Sequence, residues 1–104
     1  MTQFEVFANP IVRARPSYPF VVVLQANVAR GGRERAVAPV APRAEFPAIS
    51  GRLTPIMTIG RDEFVLLVTS LTTIPVQSFG RAIASLADRR DDIFAAIDYL
   101  SFGV

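Results

Sequence analysis

The sequence predicts a mainly β, α+β fold in which a sheet is followed by one C-terminal helix. Two apolar runs rich in β-branched and aromatic residues, FVVVL at 20–24 and FVLLV at 64–68, are typical of buried strands. Gly60 and Asp62 supply turn residues just before the second run, which indicates a hairpin. After Asp88 the apolar residues recur every three or four positions, as they do on one face of a helix.

The first two strands are predicted in the N-terminal quarter of the chain. The segment QFEVF at 3–7 nearly alternates apolar and polar residues, as a half-buried strand does, and Pro10 ends it. The segment YPFVVVLQANV at 18–28 is continuously apolar in its middle, which indicates a central strand covered on both faces. Three prolines in 36–52 withhold backbone donors, so we expect short edge strands or an ordered loop there.

A hairpin and a segment of ambiguous structure follow. We expect LTPIMTIG at 53–60 and DEFVLLVTSL at 62–71 to pair across a turn at 60–62. The segment 76–87 fits either a short helix or an irregular return, because Gly80 weakens a helix through its middle.

The C-terminal helix is predicted over 89–101. Asp88 is its expected N-cap, and Asp91 and Asp92 fall in the first turn, where the helix dipole favours negative charge. One apolar stripe at helical spacing is expected to face the sheet, formed by Ile93, Ile97, Leu100 and Val104. Tyr99 lies off this stripe and is expected to make a core or dimer contact.

Composition limits the classes of function. At 104 residues we expect one domain, residues 1–104, and 51% hydrophobic residues are more than so small a domain hides alone, so we expect a homodimer. The longest apolar runs fall far short of the roughly 20 residues of a membrane span. No secretory signal is visible, so we expect a cytoplasmic protein with no membrane contact. Cysteine and histidine are absent, so we expect no enzyme, no cofactor and no metal site.

All eleven basic residues are arginine. Arg30, Arg33 and Arg35 in ARGGRER fit either an acidic partner or phosphate backbone, or a solvated turn. Acidic residues are nearly as numerous, the arginines are scattered, and no aromatic residues interleave with them, so no direct nucleic-acid binding is expected.

The sequence closes on SFGV, an apolar end in a position that is usually polar and frayed. Such an end indicates a protein partner. A second interpretation is that Gly103 ends the helix and Phe102 packs back on the last helical turn.

Several segments in order along the chain resemble the CcdB toxins of toxin–antitoxin pairs. They are QFEVF, LTPIMTIG, IPVQSFG, IASLADRRDDIFAAI and the final Phe-Gly-Val, and the likeness runs from residue 3 to residue 104. The resemblance implies a five-stranded antiparallel sheet with a small accessory sheet, an SH3-like barrel, one C-terminal helix and a homodimer. It also implies a toxin that binds the DNA gyrase A subunit and traps the gyrase–DNA cleavage complex, with a CcdA-like antitoxin that removes it.

The resemblance also assigns contact residues. The family closes on Trp-Gly-Ile, its principal gyrase-binding determinants, and the matching positions here are Phe102, Gly103 and Val104. Further contacts with the antitoxin or another partner are implied at Val28, Asp98 and Ser101. Phenylalanine is smaller than tryptophan, lacks the N–H donor and is the weaker cation–π partner. The family usually has another large aromatic residue at the position of Ser101.

Two other functions remain open at this point. One is an endoribonuclease toxin of the MazF type, which has a similar fold and would cut RNA with arginine and hydroxyl groups, although the Gly- and Asp-rich N-terminal loop of those enzymes is missing here. The other is a protein that keeps the CcdB fold, binds an antitoxin-like partner and does not poison gyrase.

Overall fold

The computed structural model describes residues 2–25, 32–46 and 53–102. Within these residues it contains seven strands and one α-helix: β1 (Glu5–Ala8), β2 (Phe20–Gln25), β3 (Glu34–Pro42), β4 (Ile56–Ile59), β5 (Asp62–Leu66), β6 (Thr72–Pro75), β7 (Ala84–Ser85) and α1 (Arg90–Phe102). Short 3-10 turns occupy several of the connections. No helix in this described part is long and apolar enough to cross a bilayer.

The strands form one antiparallel sheet that nearly closes like a barrel. Its order is β4-β5-β3-β2-β1-β7, and β6 pairs with β3. The mainly β, barrel-like fold with one C-terminal helix is therefore confirmed. The strand count differs from the prediction, because the expected five-stranded sheet and accessory sheet form a single network of seven described strands.

We expected short edge strands or a loop over 36–52, and this prediction was wrong for the first residues of the segment. They belong to the nine-residue central strand β3. This strand pairs with β2 on one side and with β6 and then β5 on the other, the change falling between Val37 and Val40. The backbone N–H of Leu67 donates to the Pro39 carbonyl at 3.0 Å, so the backbone of Pro39 faces this second side. The missing donor of Pro39 therefore falls in the gap between two partner strands and breaks no ladder bond.

Pro42 is tolerated for a related reason. Alternation along β3 directs its backbone nitrogen to the opposite side, toward β2. The first residue of β2, Phe20, pairs with Val40. Pro42 therefore has no residue of β2 opposite it. The remainder of the predicted segment at 47–52 lies outside the described residues.

The hairpin prediction is confirmed. Ile59 pairs with Asp62, which leaves a two-residue turn, and Gly60 adopts a φ of 65° at its first position. Glycine adopts a positive φ at a lower conformational free energy than the other amino acids, which explains its presence at this turn position. The strand predicted over 62–71 is shorter than expected, because its second half forms the 3-10 turn Val68–Ser70 before β6 begins.

The remaining β predictions also have clear outcomes. β1 starts two residues later than predicted, at Glu5, and β2 is buried on both faces as expected, while 26–28 lie outside the described residues. The ambiguous segment 76–87 is an irregular return with a two-residue strand, β7, that pairs with β1.

Both faces of the sheet are buried, since neighbouring residues of a strand point to opposite sides. The face toward α1 forms the larger core, which includes Val6, Val22, Val40, Met57 and Leu66 together with Ile93 and Ala96 of the helix. The other face carries two smaller clusters, around Phe7, Val21, Val23, Val37 and Ile74 and around Ala41, Val65 and Leu67. The helix therefore packs on the main core through Ile93 and Ala96.

Candidate functional site: the C-terminal end of α1

A narrow apolar stripe anchors α1 to the sheet. Ile93 and Ala96 are fully buried, Ile97 packs against the same core, and the 3-10 turn Val68–Ser70 also contacts the helix. Leu100, in the next turn of the predicted stripe, is instead 41% exposed. The predicted stripe is therefore confirmed at its start and wrong at Leu100, and its last member, Val104, lies outside the described residues.

The predicted N-cap at Asp88 was also wrong. Asp88 lies inside the 3-10 turn Ala87–Arg89, which continues directly into α1. Ser85 holds the entry, because its Oγ accepts a 3.2 Å hydrogen bond from the first backbone N–H of that turn. Asp92 lies in the first turn as predicted and accepts a 3.0 Å hydrogen bond from Arg89 Nε. The 3-10 turn moves the first capping contact upstream of Asp88. The spacing of apolar residues in the helix does not predict such a turn, so the sequence analysis missed it.

The structure brings three of the predicted contact positions to one end of one element. Asp98 is exposed on α1, Ser101 follows three residues later, and Phe102 is the last residue of the helix. Positions three and four apart share one side of a helix, so the backbone places these three positions together. Gly103, Val104 and Val28 lie outside the described residues.

Phe94 belongs to the same side of α1 and was missed in the sequence analysis. It stands four residues before Asp98, and 41% of it is exposed. Its ring meets the ring of Phe4 nearly edge-on, with centroids 5.4 Å apart and planes at 75°. In the sequence, Phe94 lies off the helical stripe formed by Ile93 and Ile97. This spacing could have predicted that its side chain is not part of the core.

Phe4 is firmly held under this exposed ring. Its φ of 70° is unusual for a residue other than glycine, and such a conformation persists only where the surroundings determine it. Here the Phe4 N–H donates to the Val23 carbonyl at 2.6 Å, and the Phe4 carbonyl accepts from the Leu86 N–H at 2.8 Å. The side chain is almost fully buried in the main core. Phe94 is therefore an exposed aromatic residue on a rigid base.

Other apolar side chains are exposed near the helix. Leu71 is 46% exposed and directly follows the 3-10 turn Val68–Ser70 that contacts α1. Leu71 and Leu100 are therefore exposed apolar side chains, one next to a turn that contacts α1 and one on α1 itself. Tyr99, expected to make a core or dimer contact, is half-buried.

The arginine-rich segment is only partly described. Arg33 is exposed, whereas Arg35 is half-buried and its Nη1 donates to the carbonyls of Gly32 at 2.6 Å and Glu34 at 3.0 Å. Arg35 therefore binds its own local backbone, but it lies in strand β3, where it pairs with Ile74, so the solvated-turn interpretation was wrong at that residue. Arg30 lies outside the described residues.

The chemistry of the α1 surface is that of a binding face. Its groups are aromatic rings, aliphatic chains and exposed carboxylates, and the described residues contain no cluster of three or more metal-ligating side chains. In comparison with known proteins, the family model for CcdB protein matches residues 3–103, which covers the sheet, α1 and Gly103. The chain therefore belongs to the CcdB family, the gyrase-binding toxins of toxin–antitoxin pairs, which are not enzymes themselves.

Proposed function

We propose that this toxin binds the A subunit of DNA gyrase and traps the gyrase–DNA cleavage complex, and that a CcdA-like antitoxin neutralises it in the cytoplasm. The observation that carries the proposal is the match to the CcdB family over residues 3–103. It includes α1 and Gly103, and therefore most of the segment that corresponds to the gyrase-binding determinants of the family.

The proposed action requires contact only. The toxin occupies a surface of the A subunit that must move before the broken DNA is resealed, and its binding energy stabilises the cleaved state over the resealed one. A ligand shifts such an equilibrium only as far as it prefers one state. The proposed determinants are Phe102, Gly103 and Val104, with α1 as the rigid support that presents them.

We further propose that the working form is a homodimer. Leu71 and Leu100 are exposed large apolar side chains on and beside α1, and uncovered apolar surface of this kind is typical of a protein interface. A two-fold dimer presents two copies of the tip, and the gyrase A subunit is itself a dimer in the family's mode of binding. Each copy of the tip then contributes to one symmetric complex.

Phe102 sets the expected strength of the toxin. A phenylalanine ring can stack on an arginine or an aromatic side chain of the partner, although more weakly than the tryptophan of the family. The Phe102 ring is therefore expected to bind its pocket mainly through apolar contact. We expect cleavage complexes to require a higher concentration of this toxin than of a family member that ends in Trp-Gly-Ile. Val28, Asp98 and Ser101 remain proposed contacts with the antitoxin or gyrase.

The proposal is tested with purified gyrase, supercoiled plasmid and the full chain. We expect linear DNA to accumulate in the presence of toxin and ATP, and we expect induced expression to stop growth in cells whose gyrase A subunit is sensitive. Deletion of Gly103 and Val104, or Phe102→Ala, is expected to abolish both effects and leave the circular dichroism spectrum and melting temperature unchanged. Ile83→Ala, at an exposed position just before β7 and outside α1, is the control and should retain full activity.

Each alternative has a distinct result. RNA cleavage by the toxin in the absence of gyrase would favour a MazF-type ribonuclease. Tight binding of an antitoxin without accumulation of linear DNA would identify a CcdB-fold protein that does not poison gyrase. Full poisoning by the tip variants would show that other residues bind the enzyme.

A further inference from the structure

The side of α1 that leads to the tip has an unusual pair of exposed groups. Phe94 and Asp98 stand four residues apart, which places them as neighbours, one helical turn apart, on the helix surface. Both are exposed, and the Phe94 ring is supported from beneath by Phe4. An aromatic ring and a carboxylate thus share one patch of surface.

The basic residue within α1 is Arg90, at its first position, four residues before Phe94 and eight residues before Asp98. The ion pairs within the described residues are Arg43–Glu63 and Arg89–Asp92, so Asp98 has no cationic partner there. The last turn of α1 contains no basic residue. The partial negative charge at a helix C-terminus adds to that of the carboxylate, so the surface around Asp98 attracts positive charge.

We propose that Phe94 and Asp98 together receive one arginine side chain of the gyrase A subunit, as a second contact beside the tip. A guanidinium group is planar, so it can lie over the Phe94 ring while its N–H fork donates to the Asp98 carboxylate. A lysine ammonium cannot satisfy both groups in this way. This inference rests on the proposed function and adds the chemistry of the partner segment to it.

The pair also discriminates between partners. A basic segment gains from Asp98, whereas an acidic segment, such as an antitoxin tail of the family type, is repelled by it. The Phe94 and Asp98 patch is therefore expected to strengthen gyrase binding without strengthening antitoxin binding.

The experiment is a double-mutant cycle measured by calorimetry with the purified gyrase A subunit and the full-length toxin. Phe94→Leu and Asp98→Asn are each expected to weaken binding about fivefold. The double variant should weaken it by less than the product of the two, because both groups bind the same arginine. Asp98→Asn should also reduce the salt dependence of binding, whereas Asp62→Asn, at an exposed acid in the distant hairpin, should leave binding unchanged.

Asp98→Arg provides a second test that does not disturb the contact of Phe94 with Phe4, and it should weaken binding more than Asp98→Asn. This inference would be overturned if Phe94→Leu and both Asp98 variants bound with wild-type affinity. If deletion of Gly103 and Val104 still abolished binding, the proposed function would remain intact. If the double variant weakened binding by the full product of the two single effects, the idea that both residues bind one arginine would be wrong. No binding of the wild-type toxin to the A subunit would overturn both.

Discussion

The position of α1 on the sheet can be tested by truncating its most buried side chain, Ile93. This residue is fully buried in the main core, so Ile93→Ala removes three carbon atoms that have no contact with solvent. At about 0.8 kcal/mol for each carbon, the lost transfer free energy is about 2.4 kcal/mol. The cavity left beneath the helix adds about 1 kcal/mol, so the free energy of unfolding should fall by about 3.5 kcal/mol.

Urea unfolding followed by circular dichroism measures this change. All variants are compared at one protein concentration, because the stability of the proposed homodimer would depend on concentration. Ile83→Ala removes the same three carbons from a residue that is 51% exposed, so about half of the transfer free energy is lost, no cavity forms and the cost should be about 1 kcal/mol. Equal losses in the two variants, or a loss below about 1 kcal/mol for Ile93→Ala, would refute the packing of α1 described above.

Two further substitutions test local structure, both by urea unfolding. Asn9→Ala should cost about 2–3 kcal/mol, because the buried Asn9 side chain donates to the Tyr18 carbonyl at 2.9 Å and accepts from the Ile11 N–H at 3.0 Å. Asn9→Asp keeps only the acceptor, so a fully stable Asp variant would contradict this role. Gly60→Ala should cost about 1 kcal/mol or more, because a Cβ there meets no atom within 4 Å and only the φ of 65° is unfavourable. Gly80→Ala, which has equal space and no positive φ, should be neutral, and equal effects at the two glycines would contradict this explanation.

The elements that sequence reasoning predicted correctly depend on neighbours in the chain. The turn at Gly60 requires only that residue and its flanking strands, and the helix is marked by the spacing of Ile93 and Ile97. The resemblance to the CcdB family pointed to the end of α1 as the binding region, and the family match includes it. Local conformational preference and periodicity are properties of short segments, so they can be read before any fold is known.

The predictions that were wrong depend on contacts between distant segments. Pro39 suits a central strand because β5 ends and β6 begins opposite it, and that gap depends on pairing with residues more than 20 positions away. The exposure of Leu100 and Phe94 depends on which side chains of other segments pack against α1. The contact between Phe4 and Phe94 joins the two ends of the chain.

The amino-acid sequence by itself determined the strand β2, the hairpin at Gly60 and the helix α1, the absence of cysteine and histidine chemistry, and membership of the CcdB family. The tertiary structure decided which apolar side chains of α1 are buried and which stay on the surface, and it placed the Phe94 ring against Phe4. The physical reason is that burial is a property of the whole packed sheet, whereas conformational preference belongs to a residue and its nearest neighbours.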